Sequence, residues 1–512
     1  MPGLSSSLYI GLSGLQAAQG ALSVVGHNIA NVNTPNFSRQ RVGLNANQPQ
    51  TFGSVAFGTG VNLGNITGMR DKFLEMQITQ STSRQQGAEV KYSGVEGISS
   101  VFQDDGTSGL SSLVQNFFQG FQQLSARPED GALRTNLIGQ AQSLVNGLKI
   151  RYQMLEDQRT QADQSIESIA KEVNTLTTQI AALNQRISAE PTAGADSDGR
   201  DSRQTLVNKL AGLVGIQVYE DSSNQLQISL DSGSAALVSG STAYEMITTM
   251  VGSQRQVVVD RGGVSVPVTA NQNKEGRLGA NLNLRDIVLS GYQNKLDELA
   301  AGIVGQTNMI HRSGYDLSGT AVLGTNWQDF FQSPPPPPPL IANGVNGLPI
   351  VNSVAISAGN HYQGMVRAMT VNQSIVDDPS RIAAADAAGS PGNNGNARIL
   401  ANLQNVSGTV NTSLTAVAGP NGADMGNTGP YSSVISGLVS TIGTDIQTFK
   451  TAATGQDNLL SALKTQRDRV SAVDMDEEAM SLIAYQRSYQ ASARFISVID
   501  QLTAQLLTQF GA

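Results

Sequence analysis

Apolar and small residues in the opening segment fall at Leu4, Leu8, Gly11, Leu15, Ala18, Leu22, Val25 and Ile29, in alternating steps of four and three. A mean step of 3.5 keeps one stripe facing one partner helix, so the spacing predicts a coiled-coil helix over 4–29. It should stop near Asn33-Thr34-Pro35, because the residue before a proline avoids the α region. The closing segment carries the same pattern at Leu482, Tyr485, Tyr489, Ser492, Ile496, Ile499, Thr503 and Leu506, with Phe495 and Leu502 widening the stripe. Asp474 reads as its N-cap, and Glu477, three residues on, as the second half of a capping box. A third seam, Leu155, Arg159, Ala162, Ile166, Ile169, Val173, Leu176, Ile180, Leu183 and Ile187, predicts a helix over 137–188. At 1.5 Å per residue it is roughly 75–80 Å long, which implies an elongated bundle, and Glu190-Pro191 ends it.

Residues 205–214 predict a short helix, after which the period changes. Ile216–Tyr219, Leu226–Leu230 and Gln256–Val259 are short β-branched runs separated by Asp-Ser-Ser-Asn, Asp-Ser-Gly-Ser and Arg-Gly-Gly turns, which predicts strands. Helix is expected again over 285–309, 379–405 and 434–469. Six prolines, Pro334–Pro339, predict a polyproline II spacer within an irregular stretch, 313–378, and 406–432 reads as a Gly/Asn/Thr loop.

The fold class is therefore mainly α with a β-rich insertion, multidomain, with the N- and C-terminal helices paired. The expected domains are a terminal coiled coil (1–75 with 465–512), a helical bundle (76–214, 276–312 and 379–464), a β-rich domain (215–275) and an irregular insertion with the proline spacer (313–378). Neither terminal helix buries enough apolar surface alone to offset the cost of ordering it, so each needs the other. The pair is expected to be weakly ordered in a monomer and to become ordered when neighbouring subunits cover its outer face.

Composition narrows the function. Of 512 residues, 39% are hydrophobic and 14% charged, a globular rather than a disordered profile. The net charge of -8 and the lack of a Lys/Arg cluster argue against nucleic acid or an anionic membrane as partner. With no cysteine, disulfides, thiolate metal sites and cysteine nucleophiles are excluded. The first residues lack a basic n-region and a long apolar core, so no cleaved signal peptide and no membrane span are expected.

Catalytic chemistry is hard to place. His27, His311 and His361 lie without metal-ligand spacing and read as structural or surface residues, His27 as a possible helix cap. Asp196-Ser197-Asp198-Gly199-Arg200-Asp201 starts like a calcium loop, but Val207 stands where a bidentate Glu is needed. Asp474, Asp476, Glu477 and Glu478 read better as a cap and a complement to the helix dipole than as an acid pair. No cofactor, metal or catalytic residue is assigned.

Several stretches carry a resemblance. Ser13-Gly14-Leu15-Gln16-Ala17-Ala18-Gln19 and Asn28-Ile29-Ala30-Asn31-Val32-Asn33-Thr34-Pro35 resemble the N-terminal motif of flagellar rod, hook and hook-associated proteins. That family usually continues Gly-Tyr, where this chain has Asn36-Phe37. Phe37–Gln40, Asp71–Glu75, Gly276–Gly279, Asn283–Asp286, Asn308–Leu317, Asp476–Glu478 and Tyr485–Arg494 are similar to stretches of the hook-associated protein 1 family. Gly199–Gln204 departs from the family's usual stretch after the long helix.

The resemblance implies a flagellin-like layout and a structural subunit at the junction of hook and filament, with another axial protein (hook or distal rod) as the alternative and a secreted wall-hydrolysing enzyme as a more distant one. It implies a homo-oligomeric ring, the hook protein and the second junction protein as neighbours, and export by the flagellar type III apparatus with a chaperone on the closing helix. The location implied is extracellular. The residues expected to carry assembly are Leu4, Leu8, Leu15, Leu22 and Ile29 on the opening helix and Leu482, Tyr485, Tyr489, Ile496, Ile499 and Leu506 on the closing helix, the latter also holding the chaperone. Asn28, Asn31, Thr34, Pro35 and Phe37 are expected to form a loop between subunits.

Overall fold

The structure, a computed structural model, describes residues 2–52, 55–102, 109–189, 196–252, 254–322, 329–332, 340–343, 349–352, 363–405 and 431–510. The proline run Pro334–Pro339, Glu190-Pro191, His361 and most of the expected 406–432 loop lie outside them. The chain forms two compact units: Met1–Glu89 with Ser165–Ala280 and Ala452–Ala512, and Val90–Gln164 with Asn281–Thr451.

The first unit holds both ends of the chain. The opening helix runs Pro2–Ala30 and the closing helix Met475–Phe510, and they lie against each other. A β-hairpin follows the opening helix: β1 (Gln40–Ala46) pairs antiparallel with β4 (Val61–Gly68), and the small β2 (Gln50–Phe52) and β3 (Val55–Phe57) pair at its far end. The hairpin is laid along the opening helix. Val61 N–H donates to Ser13 Oγ at 3.2 Å, and a Cβ built on Gly20 would lie 2.8 Å from Leu63.

The β-rich insertion also belongs to this unit. β5 (Ile216–Glu220), β6 (Leu226–Leu230), β7 (Ala236–Ser239) and β8 (Thr242–Ala243) form one sheet in chain order. β9 (Glu245–Val251), β10 (Gln254–Asp260) and β11 (Ser265–Val268) form a second antiparallel sheet. The long helix, Gly131–Ala189, buries its predicted seam, with Arg159 and Leu183 only half-buried. Two asparagines on it tie down the insertion. Asn174 exchanges hydrogen bonds with the Met246 backbone (2.9 and 2.8 Å), and buried Asn184 donates to Leu226 O (2.8 Å) and Gly240 O (2.7 Å) and accepts from Leu226 N–H (3.1 Å). Each carboxamide satisfies backbone groups that the sheets leave unpaired, where an apolar residue would strand them.

The second unit is built around aromatic rings: Phe117, Phe118, Phe121, Phe330, Phe331 and Tyr431 sit with centroids 4.9–5.8 Å apart. Around them the helix Leu289–Arg312 and the start of the helix Tyr431–Ser471 bury apolar faces. The stretch Asn308–Leu317 is a set of clamps. Asn308 exchanges two bonds with the Phe331 backbone, His311 Nε2 accepts from Ala383 N–H at 3.0 Å, Arg312 pairs with Asp329, and Tyr315 N–H donates to Ala385 O at 2.8 Å. Short strands β12 (Phe331–Gln332) with β15 (Thr370–Val371), and β13 (Leu340–Asn343) with β14 (Pro349–Asn352), complete it.

The pattern of an α-rich chain with a β insertion and helices at both ends is what the seams predicted. Three local expectations change. The helix expected over 205–214 starts at Ser197, because Asp196 caps it by accepting from Gly199 N–H at 2.7 Å. The expected helix over 379–405 is reduced to an eight-residue helix, Gly395–Asn402, and two 3-10 turns, Pro379–Arg381 and Leu403–Asn405. There the backbone of Ala383 and Ala385 is spent on His311 and Tyr315, and Gly389 turns left-handed at φ 61°, so tertiary bonds override helix propensity. Finally, Ser6–Ala30 is by length and composition apolar enough to cross a membrane, which the sequence reading did not find. In the fold this helix packs on the closing helix and the hairpin.

Candidate functional site

The two terminal helices meet antiparallel. A Cβ on Gly11 would lie 2.7 Å from Ile496 Cγ1, and one on Gly14 would lie 2.9 Å from Ser492 Oγ. Farther toward the start of the closing helix, Asn28 Nδ2 donates to Glu478 Oε2 at 3.2 Å, which fixes the same register at the other end. Gly11 and Gly14 are thus required by close approach: any side chain there displaces the partner helix.

The closing helix turns the predicted side toward its partner. Ile499 is buried, and Leu482, Tyr485, Ser492, Ile496, Thr503 and Leu506 are half-buried, while Tyr489 lies at the exposed edge. The opening helix is different. Its buried stripe is Gly11, Ala17, Ala18, Ala21, Val24, Val25 and Asn28. Leu15, Leu22 and Ile29 are half-buried, Leu8 is 38% exposed, and the side chain of Leu4 lies outside the described residues. Small residues, rather than leucines, make the contact within the chain.

The loop after the opening helix closes the arrangement. Asn28 carries Gln40 by a pair of backbone bonds, Nδ2 to Gln40 O and Gln40 N–H to Oδ1, each 2.9 Å. Asn31 Nδ2 donates to His27 O at 3.0 Å and its Oδ1 accepts from Thr34 Oγ at 3.0 Å, so it caps the helix end. Thr34 and Pro35 are exposed. Asn36 takes the left-handed conformation, φ 61°, which asparagine tolerates, and its Oδ1 accepts from Arg467 at 2.5 Å. Phe37 sets its ring edge-on against His27, centroids 5.5 Å apart, and His27 Nε2 lies 3.3 Å from Asp198.

Arg39 is the residue the sequence reading did not assign. Its Nε donates to Glu478 at 2.6 Å and its NH1 to Glu477 at 2.7 Å, while its backbone N–H donates to Ser471 O at 2.8 Å. Hydrogen bonds to Glu477 and Glu478 and their charges outweigh burial and raise the guanidinium further above its ordinary value. Asp474 does cap the closing helix, accepting from Asp476 N–H (2.9 Å) and Glu477 N–H (3.3 Å), but the Glu477 side chain goes to Arg39 instead of closing a capping box. Asp474, Glu477 and Glu478 are therefore engaged in cap and ion pairs. Ser38 N–H donates to Asp201 at 2.7 Å and Gln40 Nε2 to Asp198 at 2.7 Å, so Asp201, within the stretch that departs from the family pattern, and Asp198 just before it also hold this loop. The signal for Arg39 was present in Phe37-Ser38-Arg39-Gln40, but its partner lies 439 positions away in the chain.

Comparison with known proteins agrees with this geometry. Residues 95–331 match the model of the flagellar hook-associated protein FlgK helical domain, residues 466–509 the flagellar basal body rod FlgEFG protein C-terminal model, and residues 8–37 the flagella basal body rod protein model. The chain is 27% identical to flagellar hook-associated protein 1 of Escherichia coli K12 over 98% of its length and 100% of that protein. It is 24% identical to the Bacillus subtilis 168 protein of the same name over 99% of each chain. The fold resembles the flagellar hook junction protein FlgK from Burkholderia pseudomallei with a TM-score of 0.63, covering 77% of this chain and 100% of that one at 16% identity.

Proposed function

We propose that this chain, which belongs to the flagellar hook-associated protein 1 family and is a structural subunit joining the flagellar hook to the filament, assembles there through its paired terminal helices. The observation that carries the mechanism is an imbalance. Within the chain, small residues of the opening helix meet the seam of the closing helix, while large apolar side chains stay in water: Tyr9 and Leu12 on one helix, and Met480, Ile483, Val498 and Leu502 on the other. A stripe of that kind on one molecule marks a surface to be covered by another. Helices of neighbouring copies cover it, and Leu4, Leu8, Leu15, Leu22 and Ile29 contribute to that contact. The loop over 28–37, with Asn28, Asn31, Thr34, Pro35 and Phe37, is held rigid by Arg39 and Asp201 and spaces adjacent subunits.

The neighbours in this reading are further copies in a ring, the hook protein on one side and the second junction protein on the other. Before assembly a chaperone of the type III export route covers the stripe of the closing helix, and the chain reaches the cell exterior by that route. The pair becomes fully ordered on assembly, which circular dichroism of full-length and end-trimmed monomers tests. We propose no catalysis: Asp474 is consumed by capping and Glu477 and Glu478 by Arg39, and an assay on muramyl substrates gives no turnover.

Deletion of the gene gives the decisive test. A junction subunit leaves hooks without filaments, with the chain located by antibody at hook tips in electron micrographs of the wild type. Loss of the hook itself would instead mark a hook or rod protein.

A further inference from the structure

The first unit contains a groove of about 730 Å³ that the helix pair does not use. One wall is β5, Ile216 to Glu220; the other is the start of the helix Lys72–Phe102. Successive side chains of a strand point to opposite faces of a sheet, so a groove touched by consecutive residues of β5 looks onto its edge. β5 is the outer strand of its sheet.

The ladder to β6 includes Asp231 N–H to Gly215 O and Asp221 N–H to Gln225 O, both 2.9 Å. Antiparallel alternation then places Gln217 and Tyr219 in the ladder opposite Ser229 and Gln227, and turns the backbone N–H and C=O of Ile216, Val218 and Glu220 outward. Among the described residues these outward groups have no hydrogen-bond partner.

The end of the groove is cationic. The single carboxylate of Glu220 holds Lys72 at 2.6 Å, Arg203 at 3.0 Å and Arg200 at 3.2 Å. Arg200 Nε is buried without a partner. Lys72 is 80% exposed and crosses the mouth of the groove from helix to strand, so its pair with Glu220 is easily exchanged.

We propose that this groove takes an extended acidic peptide segment of a partner protein, added to β5 as a fifth strand. Its backbone pairs with Ile216, Val218 and Glu220, and its carboxylate sits on Lys72 and Arg200. Unpaired edge groups supply affinity without side-chain specificity; the groove is lined by Arg70, Lys72, Arg200 and Arg203 against Glu75, Asp201 and Glu220, and the surplus of cations, concentrated around Glu220, selects an acidic segment.

The test uses the full chain and fluorescein-labelled Thr-Val-Asp-Val-Thr with blocked ends, followed by anisotropy. The acidic peptide binds, and binding weakens with salt. The Asn-for-Asp peptide binds about tenfold more weakly, the loss of a charge-assisted bond. A peptide N-methylated at alternate residues does not bind. Val218→Pro removes an outward donor from an edge strand, where proline is tolerated, and loses binding. Lys72→Glu, at an exposed position that leaves the fold intact, also loses binding, so the proposal does not depend on whether the proline variant folds. Equal binding of the acidic and N-methylated peptides, or no binding up to about 1 mM, overturns it. So does self-association of the free chain that Val218→Pro abolishes, since the occupant is then a second copy.

Discussion

Glu478 is 2% exposed at its side chain, and Arg39 and Asn28 both bond to it. Removing Glu478 takes away the buried partner of Arg39 and leaves it only the exposed Glu477. Glu478→Ala should therefore destabilise the first unit by about 3 kcal/mol, read as a lower urea midpoint, with Glu477→Ala, at the exposed side of Arg39, costing under about 1 kcal/mol. Glu75 makes the opposite kind of prediction. Burial raises its carboxyl above the ordinary value, and the nearby Arg70 and Arg467 offset this only in part. A carboxyl raised in the folded state favours folding fully below its unfolded value and loses that contribution as pH rises through the folded one. Glu75→Gln should match the wild type near pH 4 and exceed it by on the order of 1 kcal/mol at pH 7, measured by unfolding at both pH values. At this scale the sequence was readable where partners are local, as with Asp474 and the residues it caps. It was silent on Arg39, whose partners become neighbours only after the chain ends have met.

Among elements, periodicity was the reliable guide. The closing helix and the long helix turn their predicted seams inward because a 3.5-residue period leaves only one side to bury. The opening helix shows the limit of that reading. Its period is right, but the most buried side is the one rich in glycine and alanine, a quarter-turn from the leucines. Large residues attract the eye in a sequence, while close helix approach favours small ones. Gly11→Leu should push Ile496 aside and separate the pair, lowering the protection of closing-helix amides in hydrogen exchange. Gly26→Ala, where an added Cβ meets nothing within 4 Å, should leave that protection unchanged or raise it. The hairpin β1–β4 escaped notice because its alternation, Val42, Leu44 against Leu63, Ile66, is short and broken by a bulge between Val42 and Leu44. It is anchored on the opening helix through Ser13 and Asn28, and Gln40 also reaches Asp198.

For the molecule as a whole, the proposed assembly separates stability from polymerisation. Val498 and Leu502 are 52% and 45% exposed, so charging them leaves the monomer nearly as stable, within about 0.5 kcal/mol. Val498→Glu with Leu502→Glu should give normal monomer melting but hooks that bear no filament in complemented deletion cells. A variant that still supports swimming would remove the outward stripe from the assembly contact. The first unit has a further consequence, because Asn28 needs Glu478 and Gly11 needs Ile496. A chain leaving the ribosome at about 5–20 residues per second must wait roughly 25–100 s before its last helix exists to cover its first. Until then that unit has no complete interior. Synthesis order alone leaves this unit of the newborn polypeptide open, and a truncated product from an early stop codon never closes it.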